Sequence, residues 1–346
     1  MKKILILIAF FSCMLLPVSA TEYRPPEVPE SGRDLMPVET ESFQDGLWNL
    51  LHDAAELLIP ELKKAMKSCL ALIAIVLLLS FVRLTPGIGS TVAPWMGGLC
   101  GSGVLMHSTG VLIRLASDTV SDLSEYMKLL LPVLTGALAA QGGSTTAGAL
   151  YAGTMVFDAI LITLISKIIV PLIYFYICFS LWVRVTAQPL TLQITGFLKS
   201  ITTWSMKTIL YVFFGYISIT GVVSGSVDAT ALKATKLAIS GAVPVVGGIL
   251  SDASESVLVG ASLMKNSVGV YGVFALLSVW LSPFIKIGAQ YLVLKLTHGI
   301  CGLFPEKETV ELIGDYTSAM GMLLAMTGCV CVMFLVSVIC FMKGVG

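Results

Sequence analysis

The sequence predicts an all-α polytopic integral membrane protein with about six to eight transmembrane helices and one or two broken or re-entrant segments. Two observations lead to this fold class. Apolar residues fill 56% of the 346 positions and charged residues only 12%, against about 25% in an ordinary soluble domain. Apolar runs close to bilayer length also recur along most of the chain. The net charge of zero and the lack of a basic run indicate no nucleic-acid partner.

The first 20 residues are typical of a secretory signal peptide. Lys2 and Lys3 precede an apolar core at residues 4–16, and the small residues Val18 and Ala20 mark a cleavage site. An uncleaved anchor helix is the alternative, although a core of about 13 residues is short for crossing a bilayer. Cleavage would start the mature chain on the extracytoplasmic side.

The next two segments are polar. Residues 21–44 hold four prolines and six acids but only two arginines, a composition that predicts a disordered extracytoplasmic tether. Residues 45–66 predict an amphipathic helix, because apolar residues such as Leu50 and Ala54 recur at helical spacing with Asp53 on the other face. We expect this helix to lie on the membrane surface or against a partner, and to end or kink at Pro60.

Residues 67–346 form the multi-span membrane domain. Its apolar runs, in order, are 68–82, 91–113, 129–140, 147–166, 168–183, 208–227, 268–285 and 317–342, with 287–304 as a doubtful addition. The loop 184–207 carries three cations and no acid, which favours the cytoplasm. The acidic segment 305–316 permits an outside placement. Gly97 and Gly101 fit a close-packing motif, although 32 glycines make such spacings common.

Motifs for catalysis are absent from the sequence. There is no Gly-Lys dipeptide for a phosphate loop, and HExxH and GxSxG are missing. Eight cysteines contain no CxxC pair, which gives no support to a zinc or redox site. We therefore expect no enzyme, no cofactor and no metal.

Ionisable residues in apolar runs are the first candidates for function. Asp158 lies in the middle of the run 147–166, where an isolated carboxylate is costly. Two interpretations stay open for it. Asp158 lines a polar path, or it is a buried partner for Lys167 or for a backbone group of a neighbouring helix.

The stretch 243–272 interrupts the apolar pattern most strongly. Pro244, Gly247 and Gly248 should break a helix, and Asp252 can cap a new one with Glu255 at its third position. That new helix reaches Lys265 too soon to cross the bilayer, which predicts a broken or re-entrant segment.

Residues 130–148 form a second candidate of this kind. The pair resembles the discontinuous helices of transporters, whereas two ordinary extramembrane loops are the alternative.

The run TKLAISGAVPVVGGILSDASESVLVGASLMKNSVGVYGV at 235–273 resembles the stage III sporulation protein AE family of endospore-forming bacteria. The PVVG, SDASESV and LMKNSVG blocks occur in order, and the resemblance extends over most of the chain. It implies a polytopic, permease-like subunit in the mother-cell membrane around the forespore, within a complex of proteins AA to AH. That complex would meet forespore protein Q to form a channel or feeding tube, powered by a separate ATPase. A scaffold subunit and a stand-alone secondary solute transporter are the alternatives.

Overall fold

The fold is an all-α bundle in a computed structural model that describes residues 26–37, 43–83, 89–186, 189–242 and 247–343. Of residues 220–242 and 247–265 it describes the backbone alone. The helices are α1 (Glu30–Arg33), α2 (Phe43–Arg83), α3 (Gly89–Ala140), α4 (Ser144–Leu164), α5 (Val170–Thr186), α6 (Pro189–Ala242), α7 (Gly247–Cys301) and α8 (Lys307–Lys343). The predicted all-α class is confirmed.

Five helical stretches within the described residues are long and apolar enough to cross a membrane. They are Phe43–Arg83, Trp95–Ala140, Ser144–Arg184, Asn266–Cys301 and Lys307–Lys343. At 1.5 Å per residue, a 41-residue helix is about 60 Å long, twice the hydrocarbon thickness of about 30 Å. The helices therefore extend well beyond the predicted spans. The predicted total of six to eight crossings stays a prediction.

Helix α2 joins the predicted amphipathic helix to the first predicted span. It does not end at Pro60, which lies inside it. Leu50 and Ala54 before the proline and Ala65 after it are all buried. Tertiary packing on both sides of the proline thus keeps the two halves in one helix, although proline removes a backbone hydrogen bond. The amphipathic part packs Leu50 and Ala54 against Phe274 of α7, and its predicted location on the membrane surface or against a partner stays a prediction.

Helices α4 and α5 are also continuous, where the sequence predicts separate spans at 147–166 and 168–183. A π-helical turn, Ile165–Ile169, connects them without reversing the chain. Lys167 lies in that turn and is exposed. A single cation is too weak a signal to end a helix, which explains the difference.

Residues 26–37 pack on the bundle, while the disorder predicted for the segment 21–44 stays a prediction. The side chains of Val28 and Leu35 are 6% and 5% exposed, because they insert between neighbouring helices. Gly32 lets α1 approach α7 closely, since a Cβ there would lie 2.7 Å from a methyl group of Val279. The few apolar residues of the segment are thus enough to dock it on the bundle.

The interruption predicted within 130–148 is a tight turn. Helix α3 ends at Ala140 and α4 begins at Ser144. Gly142 has a φ of 90°, a left-handed conformation that a glycine adopts without a steric penalty. The double glycine at this position therefore reverses the chain between two long helices.

Helix α8 lies at the centre of the bundle and contacts α3, α4, α5, α6 and α7. Its buried apolar residues recur at helical spacing on more than one face: Val310, Leu312, Ile313, Tyr316, Met320, Leu323, Met326, Val330, Phe334, Val338 and Phe341. A helix that is apolar on most faces is typical of a bundle centre. The side chains of Cys329 and Cys331 belong to this core.

Glycines bring several helices into close contact with one another. A Cβ at Gly97 would collide with Thr309 of α8, and one at Gly101 would lie 3.5 Å from Leu312. Both glycines of the predicted packing motif therefore face α8. Close backbone approach is how transmembrane helices gain packing energy, because lipid is as apolar as the side chains.

Contacts at both ends fix the register of α7 and α8. His298 of α7 lies against Gly314 near the start of α8, and Gly269 lies against Met342 at its end. The two helices are therefore antiparallel. Levels along α8 can thus be used to compare depths across the bundle.

Arg83 connects the end of α2 to the start of α8. Its Nε lies 2.5 Å from Glu306 Oε2, and a second ion pair joins it to Glu308. Thr309 Oγ1 donates a hydrogen bond of 3.2 Å to Glu306 Oε1. Glu306 is fully buried, and burial raises its pKa, while Arg83 and Thr309 oppose this rise. The ion pairs hold the first turn of α8 against α2.

Arg184 forms a similar connection from the end of α5. Its Nη2 lies 3.0 Å from Asp315 Oδ2, and it also pairs with Glu311. Tyr176 donates a hydrogen bond of 3.2 Å to the other oxygen of Asp315. The segment 305–316 and Arg184 thus lie at one end of the bundle. The cytoplasmic placement predicted for Arg184 and an outside placement for this segment therefore cannot both hold.

We predict that Arg83→Gln destabilises the fold by about 2–4 kcal/mol, because it leaves the buried Glu306 without its cation. Chemical denaturation of the purified chain in detergent measures this change. Lys64→Gln is the control, since the Lys64–Glu61 pair is an exposed pair worth less than about 1 kcal/mol. Equal effects of the two substitutions would contradict the structural role of Arg83.

The Arg83→Gln defect should shrink as the pH is lowered from neutral toward 4.5, the ordinary pKa of a glutamate. A carboxyl whose pKa is raised by folding stabilises the fold below its unfolded-state pKa, and this contribution is lost as pH rises through the folded-state pKa. Losing Arg83 raises the pKa of Glu306 further. Thermal unfolding measured in detergent between about pH 5 and about pH 7.5 tests whether the defect shrinks. Adding Glu306→Gln should abolish the pH dependence, and a constant defect would refute the assignment.

We predict that Gly153→Ala destabilises the fold by about 1–3 kcal/mol, because the new methyl group would collide with the ring of Tyr216. The Tyr216 hydroxyl donates a 2.6 Å hydrogen bond to the Ala149 carbonyl, so the ring has little freedom to move. Gly148→Ala, in the same helix but facing open space, should be neutral or stabilising by about 1 kcal/mol. Thermal unfolding of both variants compares them directly, and indistinguishable melting temperatures would argue against the contact.

Candidate functional site

Asp158 is a buried carboxylate in the middle of α4, 2% exposed. Ser124 Oγ donates a hydrogen bond of 2.9 Å to its Oδ2, and Lys128 Nζ lies 3.9 Å from the same oxygen. Both partners belong to α3. Asp158 Oδ1 is buried without a hydrogen-bond partner among the described residues. Of the partners considered for Asp158 from the sequence, Lys167 does not contact it; the ion-pair partner in the structure is Lys128.

The spacing of Ser124 and Lys128 explains how α3 provides both groups. Residues four apart lie on one face of a helix, so the two side chains reach Asp158 from the same side. Lys128 is 49% exposed along its side chain, whereas the Asp158 side chain is 3% exposed. The lysine therefore connects the solvent-accessible surface of α3 to a carboxylate inside the bundle.

Lys128 is the last member of an exposed polar face on α3. We define the polar face of α3 as Arg114, Asp118, Ser121, Glu125 and Lys128. Successive members are four, three, four and three residues apart, which places them in one stripe along the helix. The sequence shows these residues as a polar, amphipathic stretch, but only the structure shows that the stripe ends at Asp158.

The depth of this site follows from its contacts with α8. Thr154 lies one turn before Asp158 in α4, and its hydroxyl bonds to Ser337 Oγ of α8 at 3.4 Å. Ser337 belongs to the apolar run 317–342. Asp158 and the end of the polar face therefore lie beside the most apolar part of the central helix. Charged groups at such a depth face protein or water and not lipid.

The amphipathic part of α2 continues this polar side. The rings of Phe43 in α2 and Phe274 in α7 are 5.0 Å apart, so the start of α2 is level with the end of α8. Exposed polar residues of this part of α2 include His52, Asp53, Glu56, Lys63 and Lys64. At the level where α8 is apolar, α2 and α3 thus expose charged side chains.

The segment 26–37 also lies at this level. Ser31 donates a hydrogen bond of 2.7 Å to Asp122, two residues before Ser124. Gly32 packs on Val279 of α7. Irregular backbone is tolerated at membrane depth only where protein covers it or where it lines a wet cavity. The position of segment 26–37 therefore indicates that the neighbouring surface of α2 and α3 faces protein or water and not lipid.

The residues predicted at the broken segment lie elsewhere along the chain. Helix α6 is described as far as Ala242 and α7 from Gly247 onward; residues 243–246 lie outside the described residues, so the predicted helix break there stays a prediction. Pro244 lies outside the described residues, and the side chains of Asp252, Glu255 and Lys265 lie outside that description too.

The backbone of α7 continues through Lys265 to Cys301 without a break, so this helix does not end where the sequence predicts. Along it, Asp252 precedes Phe274 by about 33 Å at 1.5 Å per residue. The structure therefore does not join these residues and Asp158 into one site.

The chemistry available at the site is electrostatic. Among the described residues, no cluster of three or more histidine, cysteine or acidic side chains could hold a metal ion. Among the described residues, Asp158 Oδ1 has no hydrogen-bond partner, and Lys128 provides a half-exposed cation beside the other oxygen. This arrangement suits the passage or binding of polar groups along α3.

Comparisons with known proteins identify the relatives of the chain. The family model described as stage III sporulation protein AE matches residues 37–344. A Bacillus subtilis (strain 168) protein named stage III sporulation protein AE is 27% identical over 195 residues, which is 56% of this chain and 49% of that protein. The match thus spans about half the length of the relative. No solved structure matches. The chain belongs to the stage III sporulation protein AE family.

Proposed function

We propose that this chain is a membrane subunit of the channel, or feeding-tube, complex that joins the mother cell to the forespore during endospore formation. It would act in the outer forespore membrane with the other proteins AA to AH and with forespore protein Q. The family membership supports a sporulation role, and the five apolar helices support a membrane location. A separate ATPase would supply energy, and the chain itself would not be an enzyme.

The observation that carries the conduit role is the charged side of the bundle at membrane depth. The polar face of α3 reaches the buried Asp158 at the level of Ser337, in the apolar run of α8. In one continuous membrane domain, such a surface is stable only against water or another polar protein surface. In this proposal the polar face lines a hydrated path that is closed by neighbouring subunits of the complex.

Asp158 and Lys128 would control the charge of that path. Lys128 can swing between the exposed surface and Asp158, because its flexible side chain is half exposed. When it contacts Asp158, the local charge is neutral. When it leaves, a buried carboxylate becomes accessible to cations or polar solutes in the path.

A stand-alone secondary solute transporter is the second candidate function. A membrane-embedded carboxylate beside a lysine is typical of proton- or ion-coupled transport. This candidate predicts uptake by vesicles that contain the purified chain alone. Inactive vesicles together with a sporulation defect would favour the complex subunit.

We predict that Asp158→Asn lowers the yield of heat-resistant spores by about tenfold or more, because it removes the buried charge of the path. Lys128→Gln should have the same direction of effect. Lys167→Gln is the matched control, since this exposed lysine lies outside the polar face. Immunoblots of membrane fractions must show unchanged protein levels. Normal spore yield for Asp158→Asn and Lys128→Gln would refute the conduit role.

Cysteine labelling of residues 247–265 tests whether this part of α7 lines a wet cavity at membrane depth. Single cysteines are introduced in a chain whose native thiols are replaced. If the segment is re-entrant, a membrane-impermeant reagent should label positions around Asp252 and Glu255 with helical periodicity at membrane depth. Labelling from one side only, with a smooth surface-helix pattern, would indicate an extramembrane hairpin and favour a scaffold role.

A further inference from the structure

A second polar feature lies between α6, α7 and α8, apart from Asp158. It is a cavity of about 430 Å³ whose lining includes Lys199, Lys295, His298, Thr203 and Ser318. Lys199 comes from α6, whereas Lys295 and His298 come from α7. Three helices thus converge on one open pocket that carries two cations and several hydroxyl groups.

The charge of this cavity is not neutralised by carboxylates of the described residues. Lys199 Nζ contacts Ser318 Oγ at 3.0 Å, and Lys295 Nζ contacts the Tyr291 hydroxyl at 3.4 Å. Neither lysine forms an ion pair with an acid in the described part of the chain. Arg184 already binds the nearby Glu311 and Asp315 of α8. The cavity is therefore a net cationic site with hydroxyl donors.

The floor of the cavity is formed by small residues of α8. Gly314 and Gly321 are seven residues apart on one face of the helix, and both line the cavity. A Cβ at Gly314 would lie 3.0 Å from the His298 ring. The missing side chains let the His298 ring pack against Gly314 and the Tyr291 ring against Gly321, so both rings of α7 lie close to α8 beside the lysines.

The position of the cavity indicates what kind of ligand it takes. It lies at the start of the apolar run 317–342, next to the charged end of the bundle where Arg184 pairs with Asp315. Exposed apolar residues lie near lining residues in the sequence: Trp204 follows Thr203 and is 65% exposed, Leu296 follows Lys295 and is 67% exposed, and Phe197 precedes Lys199 by two and is 64% exposed. Tryptophan and exposed leucine beside lysine are typical of the boundary between headgroups and acyl chains.

We propose that this cavity binds the phosphate headgroup of an anionic phospholipid, with its acyl chains lying on Leu296 and Trp204. The two lysines neutralise the phosphate, and Thr203 and Ser318 donate hydrogen bonds to its oxygens. Basic pockets between transmembrane helices bind anionic headgroups in this way. The bound lipid bridges α6, α7 and α8, and this role is separate from the conduit along α3.

The test uses the full chain, reconstituted in phosphatidylcholine bilayers with and without phosphatidylglycerol. Native mass spectrometry counts the retained lipid, and thermal unfolding measures its effect. The wild type should retain phosphatidylglycerol and unfold at a higher temperature in its presence. Lys199→Gln/Lys295→Gln should bind it about fivefold more weakly per lost lysine. The charge-conserving Lys199→Arg/Lys295→Arg should keep most of the binding.

Lys167→Gln is the matched control, because it removes an exposed lysine outside the cavity. It should retain phosphatidylglycerol like the wild type. If the double glutamine variant does not fold, Lys295→Gln alone provides the same comparison. Equal retention by wild type and glutamine variants would overturn the proposal. Binding of inorganic phosphate to the lipid-free chain in detergent, with the same lysine dependence, would assign the cavity to a free anion and overturn the lipid proposal.

Discussion

Helix length is the physical constraint on which the architecture depends. Helices of 41 residues cannot place their whole length in a hydrocarbon layer of about 30 Å, so each one must combine an apolar and a more polar part. The boundary between the apolar and the polar part does not lie at the same level in every helix. The apolar run of α2 ends at Arg83, beside the start of α8, while the polar part of α2 is level with the end of α8, in its apolar run.

This offset makes the bundle laterally asymmetric. At the level of Ser337 in the central helix α8, α4 exposes apolar residues such as Val156 and Ile160, whereas α2 and α3 expose charged residues. A buried carboxylate such as Asp158 can exist at the boundary between them, because α3 provides a hydroxyl and a lysine there. At the opposite end of the bundle, the ion pairs of Arg83 and Arg184 with α8 fix the register of the helices, and the position of Asp158 beside Lys128 depends on that register.

Local sequence patterns predicted the helical class and Asp158, but not the partners of Asp158. The charge of Asp158 in an apolar run is visible in one segment, whereas its proximity to Lys128 depends on the register between two helices. Pro60 shows the same limit, because the contacts that keep α2 continuous come from α7. The docking of Val28 depends on a groove that no local composition reveals. By contrast, the sequence predicted an interruption within 130–148, because the double glycine that forms the turn at Gly142 acts locally.

The π-helical turn between α4 and α5 determines which face of α5 is directed toward α8. Thr154 and Arg184 both contact α8, although they are 30 residues apart. In an uninterrupted α-helix of 100° per residue, their side chains would point about 120° apart. One extra residue absorbed by the π turn reduces this angle to about 20°. The wide turn at Ile165–Ile169 thus rotates the helix so that residues before it and residues after it both face α8.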